Sequence, residues 1–149
     1  MSDLRELYQE VILDHSRHPR NFGHHEPSNR EAKGNNPLCG DKFTIYALVE
    51  DGVVKDLSFE GRGCAISTAS ASLMTELVKG KTEDEARALF ERFHELVTGD
   101  KGEPLDETLD KLNVLGGVRG YPMRVKCATL AWHTMKAALE ESDNTVVTE

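Results

Sequence analysis

Leu4, Leu7, Tyr8, Val11 and Ile12 recur at the i, i+3, i+4, i+7, i+8 spacing of an amphipathic helix, and Pro19 with the Asn21-Phe22-Gly23 corner ends the pattern. Residues 23 to 38 lack a period and contain His24-His25 and several Gly/Pro punctuators, so they read as a loop or irregular edge segment. The pattern then switches to a period of two. Phe43, Ile45, Ala47 and Val49 alternate with Thr44, Tyr46, Leu48 and Glu50, and beyond Asp51-Gly52 the run VVKDLSFEG sets Leu57 and Phe59 on one face. An Asp-Gly pair between two such runs predicts a tight hairpin.

From Cys64 the helical period returns. Ile66, Ala69 or Ser70, Leu73 and Leu77 predict a helix closed by Gly80, and Thr82 with Glu85 forms a capping-box pattern ahead of Ala86, Leu89, Phe90, Phe93 and Leu96. After the polar TGDKGEP segment, Leu105, Leu109 and Leu112 suggest a short helix, and NVLGGVRGYP reads as a loop. A last helix starting near Cys127 carries Ala128, Ala131, Trp132, Met135 and Leu139 on one side, with core packing as the role of Trp132 and Met135; the tail SDNTVVTE is expected to fray. These elements predict one domain over residues 1–149, of α+β class: a small antiparallel sheet with several helices packed largely on one side of it.

Charge narrows the function classes. A net charge of −8 and a pI near 5.3 argue against a nucleic-acid binder and against an electrostatic membrane anchor. No apolar run is long enough to span a bilayer, and the start MSDLRELYQE is charged rather than signal-like, so a cytoplasmic protein is expected. In that compartment the three cysteines are free, metal-bound or reactive.

Each cysteine falls at a predicted element boundary: Cys39 before the first strand, Cys64 between the second strand and a helix, Cys127 at the start of the last helix. If the Asp51-Gly52 turn makes Glu50 face Val53, the same register makes Cys39 face Cys64, with Cα atoms about 4.5 to 5.5 Å apart, and makes Asp41 face Arg62. Two facing cysteines are compatible with a shared metal, with a disulfide, or with two inert small hydrophobes. Gly40 and Gly63 clear room for close approach, and a helix N-terminus at Cys64 and at Cys127 favours the thiolate. Three thiolates and a carboxylate make a complete shell for zinc, or a cluster site with one labile oxygen ligand. On zinc such a shell carries a net charge of roughly −2. Arg62, Arg124 and Lys126 are placed to offset it, or are an ordinary solvated face. None of His15, His18, His24, His25, His94 and His133 stands at a zinc-finger spacing from a cysteine, and Glu83 with Glu85 is helix-start chemistry.

Four segments, LYQEVILDHSRHPRNFG, NPLCGD, EGRGCAISTASASLMTELVKGK and RVKCATLAWHTMKAAL, together resemble the U-type iron-sulfur assembly proteins, the family of IscU, SufU and the N-terminal part of NifU. The resemblance covers nearly the whole chain and implies a SufE/NifU-like fold with Cys39, Asp41, Cys64 and Cys127 as metal ligands. In the scaffold branch a histidine precedes the third cysteine and the spacer before it is shorter. Here that residue is Lys126, and the spacer carries the extra segment TGDKGEPLDETLDKLNVLGGVRGYP, so the chain resembles the SufU branch. That branch implies Zn2+ and transfer of persulfide sulfur from a SufS-like, pyridoxal phosphate-dependent cysteine desulfurase. Cys39 is then the sulfur acceptor, Asp41 holds the zinc or adjusts its exchange, and Arg124 serves partner contact or charge stabilisation. Downstream partners would be an iron-sulfur scaffold or apo-proteins. Two alternatives stay open: a scaffold that binds iron or a [2Fe-2S] cluster at the same ligands, and an interaction module with a purely structural zinc.

Overall fold

A computed structural model describes residues 2–98, 110–141 and 145–147. Helix α1, Ser2–Arg17, ends where Pro19 forbids continuation, and its Val11 and Ile12 pack on the core. The segment that follows contains strand β1, Arg30–Asn36, where the sequence predicted an irregular stretch. Its inward positions are Ala32, Gly34 and Asn36, so the strand buries one face without an apolar alternation to announce it. Helix α5, Pro122–Leu139, explains the small residue in the middle: a Cβ on Gly34 would collide with Thr134 Oγ1 and lie 3.1 Å from Leu130 Cδ1.

Strands β2, Asp41–Glu50, and β3, Val53–Arg62, form the predicted hairpin, with Asp51 and Gly52 both at positive φ. Glu50 faces Val53 and Val49 faces Val54, as the turn requires. The register then slips by one residue, so Leu48 faces Asp56 and Lys42 faces Arg62. The cause is packing. Val54 and Leu57 are both fully buried although three positions apart, and a regular strand would send them to opposite faces; the exposed Lys55 is the extra residue that lets both point inward. The predicted pairings of Asp41 with Arg62 and of Cys39 with Cys64 are therefore corrected. Asp41 instead pairs across the other hairpin with Asn36.

The sheet order is β3-β2-β1-β4, antiparallel among the first three. Strand β4, Val146–Val147, lies parallel to β1 where the sequence predicted fraying, so the sheet is mixed. Helix α2, Ala65–Val78, and helix α5, Pro122–Leu139, pack on the core side of the sheet. Between them Phe59, Ile45, Leu73, Met74, Leu130 and Trp132 are fully buried. Helix α3, Glu83–Thr98, adds Phe93, whose ring stacks 4.6 Å from that of Trp132. Of the short helix predicted from three leucines, Leu105 and Leu109 lie outside the described residues, while Leu112 is buried in α4, Asp110–Asn113. The predicted loop after it is a 3-10 turn, Val114–Gly120, that buries Leu115 and Val118. Helix α5 starts at Pro122 rather than near Cys127, because proline has a fixed φ suited to the first helical position and no N–H to leave unpaired there. Among the described residues no helix is long and apolar enough to cross a membrane.

The capping box is formed as predicted: Thr82 N–H donates to Glu85 Oε1 at 2.9 Å, and Glu85 N–H donates to Thr82 Oγ1 at 3.1 Å. Thr82→Ala removes one of these bonds and should cost about 1 kcal/mol, seen as a fall in melting temperature of about 3 °C. Metal binding should not change, since the cap lies in a part of the fold remote from the cysteines in both sequence and packing.

Candidate metal centre

NPLCGD is the turn between β1 and β2. The Asn36 carbonyl accepts the N–H groups of Cys39, at 3.2 Å, and Gly40, at 2.9 Å. This wraps the chain tightly enough to put Gly40 at φ +75°, a conformation glycine adopts without strain. Cys39 is thereby held half-buried at the tip of a hairpin, and Asp41, the first residue of β2, is fully buried beneath it. One carboxylate oxygen of Asp41 accepts the Cys64 backbone N–H at 2.9 Å. The other is buried and has no hydrogen-bond partner.

Helix α5 brings in the third member. Because it starts at Pro122, Cys127 sits in its second turn rather than at its N-terminus, so the expected helix-end contribution is absent there. Its sulfur is buried and lies 3.2 Å from that of Cys39. Cys39, Asp41 and Cys127 each offer a ligand atom, and these atoms lie within 4.8 Å of one another; among the described residues this is the one group of three or more such donors. Cys64 is close through its backbone, but its thiol is exposed and is not one of the grouped donors. It is the N-cap of α2, where its sulfur accepts the Ser67 N–H at 3.4 Å.

The electrostatics favour a cation. The Cys127 thiol is pushed far above its ordinary range by burial first, then by the hydrogen bond with Cys39, by the charge of Cys64, and by the Asp41 carboxylate. The Cys39, Asp41 and Cys127 donors could hold a cation, which would favour the deprotonated thiol, and the second Asp41 oxygen is free to serve as a ligand. Two sulfurs and a carboxylate, with a third cysteine adjoining, suit zinc or iron rather than calcium or magnesium. The residues present thus fit such a metal.

The other residues singled out from sequence lie around this group. Arg62 is exposed at the end of β3, and Lys126 is half-buried next to Cys127. Arg124 is exposed, its guanidinium 4.7 Å from the centre of the Tyr121 ring. The histidines serve elsewhere: His15 is buried with Nδ1 2.7 Å from Ser72 Oγ, His24 stacks on Tyr46 at 3.8 Å, and His94 and His133 sit 5.7 Å apart beside Phe90. Three large apolar side chains are exposed near the cysteines in sequence: Leu38 before Cys39, Tyr121 at the N-cap of α5, and Met123 in its first turn. Sequence reasoning missed Asn36, fully buried with its Nδ2 3.7 Å from the Cys127 sulfur.

Gly63 completes the pocket by having no side chain. A Cβ there would collide with Ser67 Oγ and come within 2.8 Å of Asp41 Oδ1 and 2.9 Å of Phe43 Cζ. Gly63→Ala should displace the carboxylate and weaken metal binding at least about tenfold, with a loss of about 1–3 kcal/mol of stability. Chelator competition and thermal melting read the two effects separately.

The family model for the NifU-like N-terminal domain matches residues 7–147. The iron-sulfur cluster assembly scaffold protein IscU of Streptococcus pyogenes is 40% identical over 144 residues, covering 97% of this chain and 89% of that protein. The zinc-dependent sulfurtransferase SufU of Bacillus subtilis is 38% identical over 147 residues, covering 96% and 97%. The crystal structure of the N-terminal region of a nitrogen-fixing NifU-like protein from Brucella abortus superposes with a TM-score of 0.82 at 25% identity, covering 93% of this chain and 95% of that one.

Proposed function

We propose, for a chain that belongs to the NifU-like N-terminal domain family, a role in iron-sulfur cluster assembly as a zinc-dependent acceptor that takes sulfur from a cysteine desulfurase and stimulates it. The observation that carries this reading is the placement of Cys39. It stands half-buried at a hairpin tip, 3.2 Å from the buried Cys127 sulfur and grouped with an Asp41 carboxylate that keeps one oxygen unpartnered. In this reading Cys39, Asp41 and Cys127 would hold zinc, with Cys64, whose sulfur caps α2, as the candidate fourth ligand. Zinc when bound keeps the thiolates deprotonated and protected from oxidation.

The sulfur-transfer step belongs to Cys39. Its thiolate attacks the outer sulfur of a persulfide carried by the partner's cysteine. A new S–S bond forms on Cys39, the S–S bond on the partner breaks, and the partner's cysteine leaves as thiolate, so no external oxidant or reductant is needed. The buried Cys127 and the Asp41 carboxylate remain behind. The exposed Leu38, Tyr121 and Met123 give a partner apolar surface beside the cysteine, and Arg124 offers it a cation. Lys126 in front of Cys127, together with the long spacer before it, supports the SufU type, as does the similarity to the SufU of B. subtilis. The desulfurase would then be SufS-like and dependent on pyridoxal phosphate, with a scaffold or apo-proteins downstream.

The second reading is a scaffold on which a [2Fe-2S] cluster is built at the same ligands, and similarity to the IscU of S. pyogenes favours it. Metal analysis of the purified protein, anaerobic reconstitution with iron and sulfide, and a desulfurase stimulation assay separate the two. One tightly held zinc with stimulation and no stable cluster supports the acceptor. A stable, transferable cluster without stimulation supports the scaffold.

A further inference from the structure

Asn36 is a fully buried polar residue that the sulfur-transfer step does not use. We infer that its side-chain amide is a hydrogen-bond donor to the Cys127 sulfur, and that this bond makes Cys127 the quiet thiolate of the pair and leaves Cys39 as the reactive one. The inference rests on the metal-centre reading above.

One residue touches three legs of the group. The Asn36 carbonyl ties down the N–H of Cys39, its backbone pairs across the hairpin with Asp41, and its Nδ2 stands 3.7 Å from Cys127 Sγ. Its Oδ1 is buried without a partner. For packing alone this is a poor choice, because leucine has nearly the same shape and would leave no unsatisfied oxygen. The amide is explained by its other end. With Nδ2 toward sulfur, an N–H faces the lone pairs of a thiolate; the reverse orientation would set oxygen lone pairs against them.

An N–H donated to a ligating thiolate draws electron density from the sulfur and lowers its nucleophilicity. Cys39 receives no such bond: among the described residues its sulfur has Cys127 as its hydrogen-bond partner. Two sulfurs 3.2 Å apart, already unequal in burial, are thus made unequal in electron density as well by one side chain.

Asn36→Leu in the full chain tests this, with cobalt(II) as a spectroscopic probe and iodoacetamide as a thiol probe of the zinc-loaded protein. The metal-free variant should melt no lower than the unaltered chain, since it loses a buried unpaired oxygen. Its sulfur-to-cobalt charge-transfer band should move to longer wavelength, and the ratio of Cys127 to Cys39 alkylation should rise severalfold. An unchanged band with an unchanged ratio would overturn the inference. Should Asn36→Leu not fold, Asn36→Ala gives the same two readouts. The underlying reading fails differently: an unaltered chain that binds no cobalt overturns the metal centre itself, whereas a cobalt-binding chain with identical variants overturns only the role of Asn36.

Discussion

Cys39→Ala is expected to leave the fold standing and to abolish sulfur uptake. The turn that carries Cys39 is held by two backbone N–H groups on the Asn36 carbonyl and by Gly40, none of which depends on the thiol. Losing a half-buried sulfur at a hairpin tip should cost about 1 kcal/mol or less. The chemical loss is of a different order. Alanine offers no nucleophile, and Cys127 is too deeply buried to substitute, so transfer from a persulfide-loaded desulfurase should fall by on the order of 1,000-fold or more. Stimulation of the desulfurase should vanish with it, because the persulfide is no longer cleared. Turnover measured with a reductant absent separates this from simple docking, which Cys39→Ala should retain. Unchanged stimulation would remove Cys39 from the mechanism.

Asp41→Cys should have the opposite effect on the metal and a similar effect on activity. A carboxylate gives the shell one hard, exchangeable oxygen among soft sulfurs, whereas four thiolates close it as in structural zinc sites. The variant should therefore lose zinc to a chelator about 10- to 100-fold more slowly, and yet stimulate the desulfurase less, since a closed four-thiolate shell would hold Cys39 as a ligand rather than leave it free to attack. The Cys64 N–H loses its acceptor in Asp41→Cys, so some loss of melting temperature in the metal-free form is expected. The pairing of tighter metal with weaker stimulation is the diagnostic. Tighter metal with full stimulation would mean that ligand exchange at position 41 is irrelevant.

The periodic elements were legible in the sequence because burial there is done by large apolar side chains: the α2 and α3 helices, the Asp51-Gly52 hairpin and the Thr82 cap all stand where the pattern puts them. Strand β1 was not, because its inward side chains are Ala32, Gly34 and Asn36, chosen to let α5 approach rather than to fill space. That omission, together with the register slip at Lys55, explains the main error at the site. With no β1, the only partner available to Cys39 was the β3 side, and the pairing fell on Cys64. With β1 in place the hairpin turns Cys39 toward α5 and Cys127. The slip at Lys55 did leave a trace, two apolar residues three apart in a strand, Val54 and Leu57. That Cys39, Asp41 and Cys127 belong near one another was thus readable from spacing and resemblance, while the pairing of the cysteines depended on packing that carries no hydrophobic signature.

The carboxylate is what the sequence made most conspicuous, and the geometry sharpens its meaning. Asp41 is not paired with Arg62 but committed at one oxygen to the backbone of Cys64 and open at the other. It therefore joins the hairpin to the start of α2 while leaving a ligand atom available, so a metal held by Asp41 would be linked to the position of Cys64.

The central claim is that Cys39 of the zinc-loaded protein accepts sulfur, and peptide mass spectrometry after one turnover with a persulfide-loaded desulfurase tests it most directly. The account predicts one added sulfur atom on the peptide that contains Cys39 and none on those that contain Cys64 or Cys127. Sulfur found on Cys127 or Cys64 with Cys39 unmodified would contradict it.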